Sequence, residues 1–436
     1  MTRHEAYYGS TSLFLITMIR KNNLLLLFGA FLLCAFTPEH LPPKAKPNKI
    51  RMSSSCEIGT YGYDREFLKK HHVEIIELSD NNSKLILVPS YQGRVMTSAC
   101  MGDNSYSFGW INYNLIESGV VQKHINAFGG EERMWIGPEG GQFSVFFNKG
   151  VKFDFENWFT PSFLDTDVYQ VTAKAKTSAS FSKDFSIENY SGTIFNGRLE
   201  RTVKLLMPNE IVLLLHCPID DVHVVGYESS NVLSNVGREI WTKESGLLSI
   251  WMLGMLKCSP DVTMVIPIKE GDVATLGPKV NDNYFGKIGT DRLKTEGNIV
   301  YFKADGKSRG KIGIPPLRAT GFVGSYDSKN NILTILECHL PQGITDYVNS
   351  SWVIQENPFS GDALNAYNDG PLEDGSQMGP FYELESSSPA MELASGKSIV
   401  HVQRTYHLTG NFDSLDKIAH QVLGTSLDKI SSAFSK

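Results

Sequence analysis

No Cys-x-x-Cys and no His-Glu-x-x-His occurs in the 436 residues, and the six cysteines stand far apart. That spacing excludes an evident disulfide framework or zinc site. Cys217, Cys258 and Cys338, in or beside apolar runs, read as small buried thiols, like Cys100. No cofactor or metal motif is present. A concentrated basic excess is missing too. The formal net charge is −6, which excludes the basic face a nucleic-acid partner needs. Helical periodicity is scarce, which excludes an alternating strand–helix fold, and no repeat near ~40 residues supports a propeller. No apolar run reaches the roughly 20 residues of a bilayer span.

The longest run, Leu24–Phe36, follows Arg20 and Lys21. It fits the ~7–15-residue core of a secretory signal. Residues 1–36 therefore read as an export signal, with Met18 as an alternative start, and the Pro-rich, basic 37–56 as an exposed linker. A membrane anchor or a buried helix is the competing reading. Cys34 lacks the small residue that lipidation wants before it, and Cys56, behind Ser53–Ser55, lies far from the run. The membrane would be met only through the signal or such a lipid anchor. The expected location is the periplasm or the cell surface.

Residues 57–436 read as one all-β domain. VEIIEL and KLILVPS flank the turn DNNS; QFSVFFNKGVKFDFEN reads as a hairpin around Asn148-Lys149-Gly150. Further short runs rich in Val, Ile, Thr, Phe and Tyr follow, IVLLLHCPI among them, bounded by Gly, Asn, Asp and Pro. FLKKHH makes one or two helical turns. Leu415, Ile418, Val422 and Leu423 keep helical spacing behind Ser414 as N-cap, and Leu427, Ile430 and Phe434 resume it after Gly424. More than a dozen strands with so little helix predict two large antiparallel sheets packed face to face, with a short helical segment at the C-terminus.

The segment HINAFGGEERMWIGPEGGQ, His124–Gln142, concentrates ionisable groups beside glycines. Gly129-Gly130 and Gly140-Gly141 allow a sharp turn or a close approach to a ligand. In an extended segment Glu131, Arg133 and Trp135 share a face, with Glu132 and Glu139 alongside. A carboxylate, a guanidinium and an indole together suit a sugar: planar groups hold vicinal hydroxyls and the aromatic packs on the ring. An internal ion pair beside a core tryptophan is the rival. Later, Glu383 and Glu385 share one strand face, with Tyr382 and Leu384 on the other. His401 and His407 read as satisfied strand histidines. Residues 357–375 read as a long loop with Asn365, Asn368 and Asp369, covering a cleft; the spacing matches no calcium loop. Arg94, Trp110 and Asn112 are further candidates on early strands.

These motifs are familiar. The stretches YQGRVMTSA, SFGWIN, HINAFGGEERMWIGPEGGQFS, SNVLSNVGREIWTKESGLLSIWMLGM, YNDGP and GPFYELESSSPAMEL cover most of residues 57–410. The chain resembles a bacterial exported family of uncharacterised function within the galactose-mutarotase-like superfamily. To aldose epimerases the resemblance rests on order. Gly-Arg ends an early strand, a histidine precedes Gly-Gly, Asn-x-x-x-Asn precedes a tryptophan strand, and a late strand carries glutamate. The family's HGG stands here as HINAFGG, and SNVLSN lacks its second histidine. The resemblance implies a β-supersandwich with a sugar site on one concave sheet. It implies His124 as the acid and Glu383 or Glu385 as the base of ring opening, with Arg94 or Arg133 steadying the sugar oxygens.

Three readings stay open. The first is an enzyme at a sugar's anomeric centre, by epimerisation or, with Glu132 or Glu139 opposite Glu385, as a hydrolase or lyase. The second is a non-catalytic glycan-binding protein using Trp110, Arg133 and Trp135. The third is a structural surface protein whose conspicuous residues pair internally. Convergence of His124, Arg133, Glu139 and Glu385 in an open hollow is the mark of the first.

Overall fold

The computed structural model describes residues 56–435, so the signal and nearly all of the linker read above lie outside the described residues. Elements are numbered in chain order. A three-stranded sheet comprises β1 (Ile76–Asp80), β2 (Ser83–Val88) and β3 (Arg94–Ala99). A second sheet runs β14 (Gly310–Ile314), β17 (Leu364–Asn368), β18 (Phe381–Ser387), β9 (Ser249–Leu253), β4 (Arg133–Gly137), and β10 (Leu256–Lys257) pairs with β18. The ten-stranded third sheet starts with β12 (Leu293–Glu296), β13 (Ile299–Lys303), β11 (Val262–Pro267), β15 (Phe322–Asp327) and β16 (Ile332–Cys338). It continues with β19 (Ser398–Gly410), β8 (Val222–Asn235), β7 (Ile194–Leu205), β6 (Ser178–Glu188) and β5 (Gln170–Lys174). All pairings between named strands are antiparallel.

The expected two large sheets face each other because their strands alternate. In β7, odd and even residues divide cleanly into a buried and an exposed set. Its buried Phe195, Leu199 and Val203 meet Met134, Ile136, Ile250 and Met252 from β4 and β9. At the other end Ile312, Ala366 and Leu384 meet Met264, Phe302 and Val323. The six-stranded sheet thus spends one face on the core, and its other face is available for a site.

Helices cover what the sheets leave. α1 (Tyr61–Lys70) and α2 (Tyr113–Ser118) accompany the small sheet, and α3 (Ser162–Asp165) and α5 (Val273–Leu276) are single turns. On the ten-stranded sheet α4 (Pro208–Leu215), α6 (Phe412–Leu423) and α7 (Leu427–Ser432) bury Ile211, Leu415, Ile418 and Leu427 over Leu333, Ile335 and Tyr406. The C-terminal helices are as expected, except that Asn411, not Ser414, is the cap: its side chain accepts from the Ser414 N–H.

Three expectations fail. IVLLLHCPI is not a strand: Ile211–Leu215 form the last five residues of α4, because Pro208 opens a helical turn and Glu210 reaches back to the Met207 N–H. The hairpin in 142–157 is absent. Phe147 makes one bridge, to Trp158, and the alternating aromatics fold inward as a loop packed on Trp158 and Trp352. The long loop 357–375 contains β17, whose residues are all buried.

Candidate functional site

On β18 alternation sends Tyr382 and Leu384 into the core and Phe381, Glu383 and Glu385 to the opposite face. The register extends that face sideways. Tyr367 lies opposite Glu383 and Asn365 opposite Glu385 on β17, and Lys311 lies opposite Tyr367 on β14. On the other side Trp251 lies opposite Ser387, and Trp135 opposite Trp251. Residues from five segments of the chain therefore meet over β18.

Their contacts are specific. Arg133 Nη2 donates to Glu383 Oε1 at 2.9 Å, with its guanidinium 4.3 Å from the Trp135 ring centre. Glu385 Oε2 accepts from the Trp251 indole at 2.8 Å and from Lys311 Nζ at 2.9 Å. Lys311 also lies over the Trp251 ring, 4.5 Å from its centre. Both donors serve one oxygen, so Glu385 Oε1 is buried with no hydrogen-bond partner, as is Arg133 Nε. Unused polar atoms are uncommon in a finished core.

Loops close the face. Glu139, just beyond β4, is partly exposed, and its carboxyl faces Lys311, Trp352 and Glu385. Burial raises its pKa, Lys311 opposes the shift and Glu385 adds to it. Burial likewise raises Glu383. Arg133 works against the shift, and the like charges of Glu385 and Asp369 add to it. Asp362 accepts from Tyr284 at 2.8 Å and Asn281 at 2.7 Å, and burial pushes it up to about 6. Lys311 thus acts on three carboxyls besides its partner. Its side chain is 11% exposed, the most open of the paired charges here. The site is not an open hollow: Glu383 and Glu385 are buried with Arg133, Trp135 and Trp251, and Lys311, Glu139 and Trp352 are only partly exposed, so the cleft over β18 is nearly closed.

Of the four residues expected to converge, Arg133, Glu139 and Glu385 do. His124 does not: Nδ1 lies 2.6 Å from the Trp158 carbonyl oxygen and the ring packs between Phe155 and Phe159. Glu131 and Glu132 depart more sharply. Gly129 and Gly130 take φ of +96° and +107°, Glu131 falls in the bend that follows them, and the regular strand starts only at Arg133, so the alternation assumed from Glu131 to Trp135 does not hold. An added Cβ on Gly129 would overlap the Trp110 carbonyl, and one on Gly130 would lie 2.6 Å from Arg94 Cδ. These glycines serve close approach within the protein rather than to a ligand. Beyond them Glu131 meets His407 and Ser98, and Glu132 meets Arg201 and Gln403, all between the sheets.

Arg94 is buried behind the cleft, donating to the Gly129 carbonyl and to Gln92. Burial and the like charge of Arg133 work against its charged form and Asp165 supports it, but a guanidinium stays protonated. Trp110 stands at the cleft's edge against Phe381, 4.9 Å between ring centres. Asn368 is structural, holding the Gly306 N–H and the Ser308 carbonyl. Asp369 accepts from Tyr367 and the Gly379 N–H. Asn112 caps α2, and Asn231 and Asn235 of the Asn-x-x-x-Asn motif bind Arg201 and backbone. His401 and His407 are satisfied, as expected, by Ser386 and by Thr334 with Glu131.

Lys311, Trp251, Tyr284, Trp352 and Asp362 were not anticipated. A lysine inside the apolar GKIGI strand was the available signal for the first. A surface groove of about 470 Å³ on the ten-stranded sheet shares no residue with the cleft, and two of its charged residues, Glu337 and Arg404, pair with each other. All five cysteines in the described residues are free, and no group of three or more His, Cys, Asp or Glu there is placed to hold a metal ion.

Solved structures similar to the chain include an Escherichia coli K12 protein proposed as an aldose 1-epimerase, 12% identical with a TM-score of 0.47 over 78% of this chain and 100% of that one. The Slr1438 protein of Synechocystis sp. PCC 6803 gives 11% and 0.46 over 78% of this chain and 96% of its own. A galactose mutarotase-like protein of Lactobacillus casei ATCC 334 gives 11% and 0.45 over 77% and 100%. No curated protein matches the sequence. From residue 59 to residue 434 the sequence matches one family along its length, and the chain belongs to it: the Family of unknown function (DUF6786).

Proposed function

We propose that the cleft over β18 binds a sugar ring and that Glu385 and Glu139 exchange protons with it at the anomeric centre, as in an aldose epimerase-type isomerase. The observation that carries this is a pair of carboxyls held differently over one aromatic-lined sheet face. Glu385 has one oxygen saturated by Lys311 and Trp251 and the other unused. That oxygen suits a base. Glu139 is kept protonated to higher pH by burial and by Glu385, which suits an acid. Glu385 would take the proton of the anomeric hydroxyl while Glu139 gives one to the ring oxygen. The bond between the anomeric carbon and the ring oxygen breaks, giving the open chain. Rotation and the reverse transfers close the other anomer. Lys311 and Arg133, which cover the Trp251 and Trp135 rings, would be donors to its hydroxyls.

The test is anomeric exchange by NMR on a panel of aldoses. Wild-type protein should accelerate exchange of at least one, and Glu385→Gln and Glu139→Gln should each lower that rate by about 10²–10⁴-fold. A sugar bound without exchange would leave a binding protein, and a hydrolysed glycoside would reassign the pair to hydrolysis. No sugar bound would end the reading. From the apolar run Leu24–Phe36 we also infer export, checked by N-terminal sequencing of protein recovered outside the cytoplasm.

A further inference from the structure

We propose, resting on the sugar reading above, that segment 281–288 is a gate over the nearly closed cleft, with Tyr284 as its latch, and that lifting it admits the sugar to Lys311 and Glu385. The segment joins α5 to β12, and two consecutive aromatics reach from it onto the edge of the six-stranded sheet. The Tyr284 hydroxyl donates to Asp362 Oδ2 at 2.8 Å and accepts from Asn365 Nδ2 at 3.2 Å. Its ring centre is 5.7 Å from Lys311 Nζ, which lies 4.5 Å from the Trp251 ring centre. Phe285 meets Tyr367 at 6.1 Å between ring centres and has the Arg309 guanidinium 3.9 Å from its own. Lys311 and Tyr367 are partners across β14 and β17, so the two rings cover adjacent positions of one face.

The segment is fastened at its ends and loose between them. Asn281 exchanges both backbone hydrogen bonds with Gly313, each 2.8 Å, and its side-chain amide donates to Asp362 Oδ1 at 2.7 Å. Asp282 holds the Lys287 amine and the Ile288 N–H. Among the described residues no backbone group of 283–287 pairs with another backbone group. Asn283, Phe285, Gly286 and Lys287 are exposed. Gly286 takes φ of +96°, and an added Cβ there would meet nothing within 4 Å. Exposed side chains without backbone pairing mark the part of a fold that opens most readily.

What lies beneath needs an opening. Glu385 Oε1 is buried without a partner, and the Lys311 amine on its other oxygen is held between the Trp251 and Tyr284 rings. Of these two rings Trp251 is fixed in the sheet by β9, while Tyr284 stands on the loose segment. Burial and the charges of Asp362 and Glu385 keep the phenol protonated, so it stays a donor to Asp362. Lifting Tyr284 uncovers Lys311 and lets water reach Asp362 in place of the phenol. The closed state is therefore favoured by little more than the latch itself.

The experiment is timed amidination of lysines by methyl acetimidate, read by mass spectrometry, with the exposed Lys176 between β5 and β6 as internal reference. Tyr284→Phe keeps the ring and removes the latch, and should speed labelling of Lys311 at least about fivefold relative to Lys176. Gly286→Ala strains the closed turn at its positive φ and should speed it about three- to fivefold. The first variant adds no atom and the second adds one facing open space, so both fold. In wild type, an aldose at saturation should slow Lys311 labelling at least about threefold. Labelling unchanged in Tyr284→Phe overturns the gate and leaves the sugar reading standing. Acceleration in Tyr284→Phe alone reports the phenol's effect on the amine rather than movement, and overturns it too. Acceleration in both variants, with no aldose protecting Lys311 or exchanging its anomers, overturns the sugar reading and leaves a gate over the charged cleft.

Discussion

Glu132 and Arg133 are neighbours in the chain and end in opposite kinds of place. Glu132 pairs with Arg201 at 2.5 Å between the sheets, neither side chain touching solvent, and Gln403 occupies its other oxygen. The network runs on through Ser386 to His401. Arg133 pairs with Glu383 on the far side of the same strand, at the cleft. The inner network spends nearly every polar atom on a partner, with Glu131 Oε1 and Thr405 Oγ1 left over. The cleft leaves Glu385 Oε1 and Arg133 Nε unused and holds Glu139, Glu383 and Asp362 above their ordinary pKa. A buried charge that is fully paired builds the protein. A spare atom alone does not mark a site, since Glu131 Oε1 lacks a partner too; the β18 face differs in placing the partly exposed Lys311 and Glu139 beside Glu385.

The largest expected effect tests the inner side. Arg201→Met leaves Glu132 buried and unpaired, and should cost about 3–5 kcal/mol in urea unfolding. A loss below ~1 kcal/mol would put the two regions in one class. Titration separates them next. Burial lowers His401 to about 4, so its contribution is complete above pH 6.5 and is lost as pH falls toward 4. Asp362 is raised to about 6 from 3.8, so its contribution is complete below pH 3.8 and is lost as pH rises through 6. Stability measured from pH 4 to 6 should therefore rise less steeply with pH in His401→Gln than in wild type, and more steeply in Asp362→Asn. Each difference should reach about 2–3 kcal/mol. Equal slopes in the three proteins would remove the contrast.

The hinge between the regions comes third. Gly130→Ala meets both a positive φ and the Arg94 stem, and should cost about 1–3 kcal/mol. An unaffected melting curve would show that the bend tolerates a side chain. The last variant sharpens the cleft side. Lys311 holds down the pKa of Glu139, Glu383 and Asp362. Lys311→Met leaves the buried Glu385 carboxylate with the Trp251 indole alone, and should cost about 1–3 kcal/mol. It should raise the pH at which those carboxyls ionise, read by carbon-13 NMR of labelled side chains. Unmoved titrations would place the lysine outside the cluster.

Much of this was legible in local pattern. The division of β7 into inner and outer residues, the shared face of Glu383 and Glu385, and the C-terminal helical spacing follow from fixed periods of 2.0 and 3.6 residues. Short apolar runs were less informative. IVLLLHCPI suits a buried strand or a buried helix equally by periodicity, and Pro208 with Glu210 decides for the helix. QFSVFF alternates as a strand would, yet no partner strand accepts it. The face shared by Glu131 and Arg133 failed for a different reason: alternation holds only while the backbone stays extended, and Glu131 lies in a bend before β4, which starts at Arg133.

By itself the sequence determined the strand-rich class, the two-faced strands and the presence of paired carboxyls on one of them, because these depend on a few adjacent residues. The tertiary structure alone decided which charges are spent internally and which meet at the cleft. Arg133 and Glu383 lie 250 residues apart, and Glu132 and Gln403 lie 271 apart. Whether a carboxylate is satisfied depends on what the far end of the chain brings to it, and no local period encodes that.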